Sequence, residues 1–213
     1  MKYYFYLLSL ILVSSFSFAQ ESDTVYINTR NIKVGNLKDG KSVYLVYYRQ
    51  HKEATRTMTQ FWTRTVKRKI ENGEKVVEIC QYWEDKDSIV HTAKSLCDGQ
   101  TFKPLFHESW WNARGKKSTS VYNYETKQVA IDGNDAVNDT SAKGKQLMVG
   151  FLKAADVYHL NWHLDLEVFS TLPLSLHKTY AIPFYEAGYN EPENIFYTVS
   201  GEDQLKGYAS QPI

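Results

Sequence analysis

The sequence predicts a mainly β protein: an antiparallel meander closing or half-closing into a barrel, with one helical segment around residues 158–172. Three observations carry this expectation. Turn pairs at Asp39-Gly40, Asn72-Gly73, Asp98-Gly99, Arg114-Gly115 and Asp132-Gly133 punctuate the first two thirds of the chain, and such pairs supply the positive φ that tight hairpins need. Aromatic residues make up 15% of the chain, with 16 Tyr and 5 Trp against 3 Met, and these side chains suit a pleated, half-buried surface. The segment 55–70 is long and rich in threonine, which favours a curved sheet or barrel over a flat sandwich.

The chain begins with Lys2, an apolar run from Tyr3 to Val13, and small residues at Ser17 and Ala19. A basic start, an apolar stretch too short to span a bilayer and a small-residue pair read as a secretory signal peptide over 1–19, cut before Gln20. Periplasmic or secreted location follows as an expectation. Position 20 is Gln rather than Cys, so no lipid anchor is indicated. Residues 20–213 then form a single domain, large enough to bury a substantial core. The full chain has 25 basic and 24 acidic side chains, and removal of Lys2 leaves the remainder formally neutral. That balance argues against nucleic acid as a partner, and no later stretch is apolar enough for a membrane span.

Strands are expected over 23–34, 42–50, 55–70, 74–84, 88–96, 102–111, 117–124 and 127–131. In Val43-Tyr44-Leu45-Val46-Tyr47-Tyr48 both parities are apolar or aromatic, so the strand is covered on both sides or lines a cavity on one. Thr57, Thr59, Thr63 and Thr65 alternate with Met58, Gln60, Trp62, Arg64 and Val66. Neither face is purely oily, as in a partly polar lumen or a solvated sheet face. Residues 134–144 read as a polar loop. Leu160, Leu164, Val168 and Leu172 then recur every fourth residue and Pro173 follows, the spacing of a helix and its stop. On that helix Trp162, Leu166 and Phe169 form a second face, with Trp162 as its anchor on the barrel. Two further strands are expected over 179–185 and 195–199.

Cys80 and Cys97 are the two cysteines, and in an oxidising compartment the expectation is a disulfide between them. The hairpin between them decides the geometry. A turn centred near Ser88 lets the two face each other, whereas a turn centred on Lys86 offsets them.

The run Asn161-Trp162-His163-Leu164-Asp165-Leu166-Glu167, with Leu172-Pro173-Leu174 and Tyr197-Thr198-Val199-Ser200-Gly201, resembles an uncharacterised family of secreted bacterial β-barrel proteins. The resemblance covers nearly the whole chain after residue 19. It implies a single closed or half-closed barrel, similar in shape to periplasmic lipoprotein-carrier and lipid-binding half-barrels, and it brings no catalytic residues with it. The chain stops at Ile213, where the family pattern implies further closing strands, and a missing last hairpin would leave an open sheet edge.

Chemistry-bearing patterns are sparse. His159 and His163 lie four apart with Asp165 and Glu167 close by, a metal-like set, but Leu160 stands where the HExxH motif of zinc hydrolases needs its glutamate. His107-Glu108-Ser109 holds acid, base and hydroxyl, yet neighbours on a strand point to opposite faces. No nucleophile elbow, P-loop or dinucleotide fingerprint is present, and no cofactor is implied. The basic run Lys67-Arg68-Lys69 reads as a solvated hairpin tip. The remaining candidates are aromatic: Trp62, Tyr82, Trp83, Trp110 and Trp111, joined by Trp162, form either ordinary core or the lining of a pocket for an apolar molecule. The leading function is therefore a non-catalytic binding or carrier protein for a lipid or other hydrophobic ligand. An envelope assembly module holding a protein partner comes second, and a metal-dependent hydrolase third.

Overall fold

A computed structural model describes residues 23–113, 115–186 and 188–202. The expected signal segment 1–19 and its junction at Gln20 lie outside the described residues. In chain order the elements are β1 (Thr24–Tyr26), β2 (Gly40–Tyr48), β3 (Thr57–Glu71), β4 (Glu74–Asp85), β5 (Ser88–Asp98), β6 (Pro104–Ala113), β7 (Lys116–Asn123), β8 (Gln128–Ile131) and β9 (Asn134–Asp135). Then follow helix α1 (Ala142–Asp156), β10 (Leu160–Asn161), helix α2 (Asp165–Thr171), β11 (Thr179–Tyr185) and β12 (Glu193–Thr198).

Strands β2 to β9 form one antiparallel meander in sequence order. The expected meander is present, but the sheet is open: β2 and β9 are its two edges and do not pair with each other. Local chemistry fixes the register. Asn72 and Gly73 have φ of 50° and 87° and join β3 to β4, and Asp132 and Gly133 at 50° and 78° join β8 to β9. Both pairs are left-handed at both central positions, which matches the twist of the flanking strands. Asp98-Gly99 instead opens a longer link, in which the Asp98 carboxylate accepts from the Gln100 and Thr101 amides and the Thr101 hydroxyl. Asp39-Gly40 turns no hairpin, since Gly40 is the first residue of β2.

A second, smaller sheet is built on β11. On one side β11 pairs in parallel with β1 (Thr24↔Thr179) and with β10 (Leu160↔Phe184), and on the other it pairs antiparallel with β12. Pro183 falls in the interval between the ends of β1 and β10, where β11 has no strand on that side and a residue without an N–H is tolerated. The segment 23–34, expected to be one long strand, contributes only the short β1. Beyond Tyr26 the Asn28 and Asn31 side chains take up the backbone groups in a turn.

One face of the large sheet is covered by this small sheet and the helices. Val77, Ile79 and Phe102 pack with Leu160, Leu164, Val168, Ile182 and Phe184 in one core cluster. Tyr122, Tyr124 and Val129 pack with Phe151, Ala154 and Tyr185 in another. The opposite face is more solvated, and the β3 threonines Thr63 and Thr65 lie on it while Trp62, Arg64 and Val66 point inward. The stretch Val43–Tyr48, expected to be covered, is open to solvent, with Val43 59% and Tyr48 58% exposed. The covering layer meets β3 at Arg64, and β2 lies beyond it as the sheet edge.

The helical expectation needs correcting in both directions. Only α2, the second half of 158–172, is α-helical. Leu160 and Asn161 are drawn into pairing with β11, and residues 162–164 form a single 3-10 turn. Leu160, Leu164 and Val168 are the fully buried row, whereas the Trp162, Leu166 and Phe169 face expected on the barrel is only half-buried, with Leu166 37% exposed. The longer helix, α1, begins inside the segment read as a polar loop. Ser141 caps it by accepting from the Gly144 amide at 3.1 Å. Its glycines mark close approaches: a Cβ on Gly150 would sit 2.1 Å from the Tyr189 carbonyl oxygen.

The expected disulfide is absent, and both thiols are free. The β4–β5 turn falls on Lys86 and Asp87, between the paired Asp85 and Ser88, so Cys80 lies opposite Lys94 and Cys97 opposite Val77. The two cysteines are therefore three register positions apart on opposite faces, out of bonding reach. Cys97 is fully buried and burial pushes its thiol well up, while the half-buried Cys80 is pushed up as well. Unreduced protein in denaturant is expected to show two alkylatable thiols, and native protein to label only at Cys80, slowly. Recovery of no alkylatable thiols would overturn this register.

Candidate functional site

The inward row of the meander nearest its open end reads Trp62, Trp83, His91 and Trp111 across β3, β4, β5 and β6. The next row reads Arg64, Gln81, Ala93 and Ser109, and the one after it Val66, Ile79, Ser95 and His107. Strand periodicity thus builds an aromatic rim, a polar belt and a floor that is apolar on β3 and β4 and polar on β5 and β6 from the same four strands. The covering segment 161–167 lies over the belt.

A buried guanidinium ties the two layers together. Arg64 is 3% exposed; its Nε donates to Glu167 Oε1 at 2.8 Å, its Nη2 to Glu167 Oε2 and, at 2.6 Å, to the His163 carbonyl. Its Nη1 donates to Gln81 Oε1 at 3.2 Å, and the Gln81 amide donates to the same His163 carbonyl. Asp165 Oδ1 lies 3.5 Å away, a longer ion pair. Burial raises the Asp165 carboxyl above the usual carboxylate range, against the pull of Arg64.

Three imidazoles line up beside this pair. His91 Nδ1 lies 2.9 Å from the Trp110 carbonyl, which can only accept, so His91 carries its proton there and its Nε2 accepts from His163 Nε2 at 3.0 Å. His107 Nδ1 shares a hydrogen bond of 2.9 Å with Ser95 Oγ, which also accepts from Asn161 Nδ2 at 3.3 Å. Burial holds all three neutral: His91 falls to about 4, His107 to about 3 and His163 well below its ordinary value. The Ser95–His107 pair superficially resembles a nucleophile and its base. With Ser95 1% and His107 3% exposed and so weak a base, it is a packed hydrogen bond without access for substrate.

The rim encloses a pocket of about 250 Å³, walled by Trp62, Trp83 and Trp111 from the sheet and by Trp162, His163 and Asp165 from the cover, with Arg64 and Glu186 completing it. Trp62 stacks on Trp83 at 3.7 Å and 7°, while Trp83 and Trp111 meet at 89° with centroids 5.2 Å apart. Trp162 stacks on Phe184 at 4.6 Å. Two larger clefts, of about 430 and 490 Å³, flank the basic run and the start of β2. Of the cations lining them, Arg68 is engaged by Asp39 at 2.7 Å and Lys69 by Glu71 and Glu78 at 2.8 Å.

Of the aromatic residues singled out by sequence, Trp62, Trp83, Trp111 and Trp162 converge. Tyr82 and Trp110 do not: they share a register row with Thr92 on the opposite face, where Tyr82 is 45% exposed. Neighbours on one strand cannot both face the pocket. The His159–His163 pair is also divided. His159 sits between Tyr124 and Tyr185 in the second core cluster, while His163 joins His91. Among the described residues, no group of three or more His, Cys, Asp and Glu side chains is placed to hold a metal ion. The sequence does not single out Arg64, Gln81 or His91, and it raises Glu167 and His107 only within a metal-like set and a strand motif; the strand register that aligns Arg64, Gln81, His91 and His107 is the signal that could have found them.

No helix among the described residues is long and apolar enough to cross a membrane. No curated protein and no solved structure matches the chain. A family model described as a protein of unknown function, DUF3108, does match, over residues 43–211, and the chain belongs to that family.

Proposed function

We propose that the protein binds or carries a lipid-like or other hydrophobic ligand in the tryptophan-walled pocket and performs no reaction on it, after export and removal of residues 1–19. The observation that carries this reading is the convergence of Trp62, Trp83, Trp111 and Trp162, from three strands and the covering segment, on one partly open pocket. All four rings are half-buried; Trp62, Trp83 and Trp111 stand outside both core clusters and Trp162 packs against the first, an apolar lining with a few polar anchors. The hydrolase alternative loses its basis with the separation of His159 from His163.

Titration of tryptophan emission with a panel of fatty acids and lysophospholipids tests this. A saturable change is expected, abolished by Trp83→Ala and retained in Trp110→Ala on the other face. No response to any member, together with native mass spectra free of bound small molecules in protein from an envelope extract, would overturn it.

One observation favours the second reading, an assembly module that holds a protein partner. The edge strand β2 and the start of β3 expose Val43, Leu45, Tyr48, Met58 and Phe61, each at least 49% open. Exposed apolar sheet edges of this kind pair readily with another chain. Crosslinking in cells would then trap one dominant protein.

A further inference from the structure

We infer that the ligand of the tryptophan pocket is an uncharged, hydroxyl-bearing amphiphile and that His163 Nδ1 accepts the hydrogen bond of its hydroxyl group. The inference rests on the pocket being the binding site and adds the chemical class that the site selects.

Tautomers decide which atom is left over. The Trp110 carbonyl can only accept, so His91 carries its proton on Nδ1, 2.9 Å away, and its Nε2 is a bare acceptor. His163 Nε2 lies 3.0 Å from that acceptor and must therefore carry the His163 proton. Burial keeps both rings neutral, and a neutral imidazole has one N–H. His163 Nδ1 is thus a lone pair without a proton. It is buried, on a residue 8% exposed, and has no hydrogen-bond partner among the described residues. Buried polar atoms are rarely left unanswered, and His163 is part of the pocket wall. The group that answers it is a donor.

The rest of the wall narrows the class. Arg64 is the one cation among the lining residues, and its three nitrogens already donate to Glu167, Gln81 and the His163 carbonyl. An ionised carboxylate or phosphate on the ligand finds no free cation there. The indole N–H groups of Trp62 and Trp83 donate to Gln60 and Gln81 at 2.9 and 3.2 Å. An ether or ester oxygen only accepts, so it leaves Nδ1 without a donor. An ammonium donates, but stripping the water from its charge costs far more than desolvating a hydroxyl. A hydroxyl brings a donor with no charge, and an apolar chain attached to it suits the tryptophan walls. About 250 Å³ lies below the usual range for a drug-sized ligand, so the hydroxyl belongs to the end of the molecule that enters.

Tryptophan-emission and calorimetric titrations with octan-1-ol and its isomer 1-methoxyheptane test the inference, since the two differ in the donor and not in atom count. Octan-1-ol is expected to bind saturably and the ether about tenfold more weakly. His163→Phe, with circular dichroism unchanged, is expected to remove that preference by weakening the alcohol alone. Nitrogen-15 spectra of the wild-type protein give a readout that does not depend on the variant folding: the His163 Nδ1 resonance should start at the position of a bare imidazole nitrogen. It should move toward that of a hydrogen-bonded one with octan-1-ol and stay in place with the ether. Equal binding of the two isomers, a preference that survives His163→Phe, or an Nδ1 resonance unmoved at saturation would overturn the hydroxyl inference while the carrier reading stood. An Nδ1 already hydrogen-bonded in ligand-free protein would overturn it too, by assigning the atom to an internal water. No response to either isomer or to any fatty acid or lysophospholipid would instead remove the carrier reading itself.

Discussion

Arg64→Met is expected to cost about 3–5 kcal/mol of folding free energy. The substitution strands a buried carboxyl group: Glu167, 7% exposed, loses the two donors that answered it. The His163 carbonyl also loses one of its donors. Arg64→Lys should rescue little, because one ammonium cannot reproduce a fork of donors reaching Glu167, Gln81 and His163 together. The combined change Arg64→Met with Glu167→Leu should recover most of the loss, since an apolar pair avoids the desolvation of both charges. Urea denaturation across this double-mutant cycle measures it, and a single-mutant cost below about 1 kcal/mol would mean that the pair contributes no more than an exposed salt bridge.

Stability is expected to fall steeply as pH drops from 7 to 5. His91 and His159 are held at about 4, His107 at about 3, and His163 is also depressed, all chiefly by burial. In the unfolded chain these imidazoles take up protons near their ordinary value of about 6.5, so below it the unfolded state binds protons that the folded state refuses. The stability contributed by keeping them neutral is complete above that value and is lost as pH falls toward the folded values. His107 and His159 together should remove on the order of 3 kcal/mol between pH 6.5 and 5, and His163 acts in the same direction. Asp165, raised in the fold, works in the opposite direction and offsets a small part. Denaturation midpoints at pH 7, 6 and 5 give the slope, and His159→Phe should shallow it by about one proton. A flat profile over that interval would show that the folded protein already accommodates imidazolium.

Most strands were legible because their information is local. Asn72-Gly73 and Asp132-Gly133 dictate their own backbone, and the residues between turns had only to pair with the neighbour that the turn delivered. The failures share the opposite property. Leu160 and Asn161 follow a helical repeat but are extended, because β11, some twenty residues downstream, offers them a ladder. Helix α1 hid behind Gly144 and Gly150, which reduce helix propensity and are required by the close approach of Asp139 and Tyr189. Half of the candidate site was visible as tryptophans. The choice between Trp110 and Trp111, or Tyr82 and Trp83, depends on a parity that one misplaced turn reverses, and the partners of Arg64 lie about a hundred residues away in sequence.

The parallel pairing of β1 with β11 also sets an order of events. Every contact within the meander joins strands adjacent in the chain, so these hairpins can zip in succession with little loop entropy to overcome. Thr24 finds Thr179 only after the whole intervening chain has been placed. The first strand of the described residues thus docks only once β11 has been made. Until β11 is made, β1 has no strand to pair with, and its backbone groups depend on water while the meander forms.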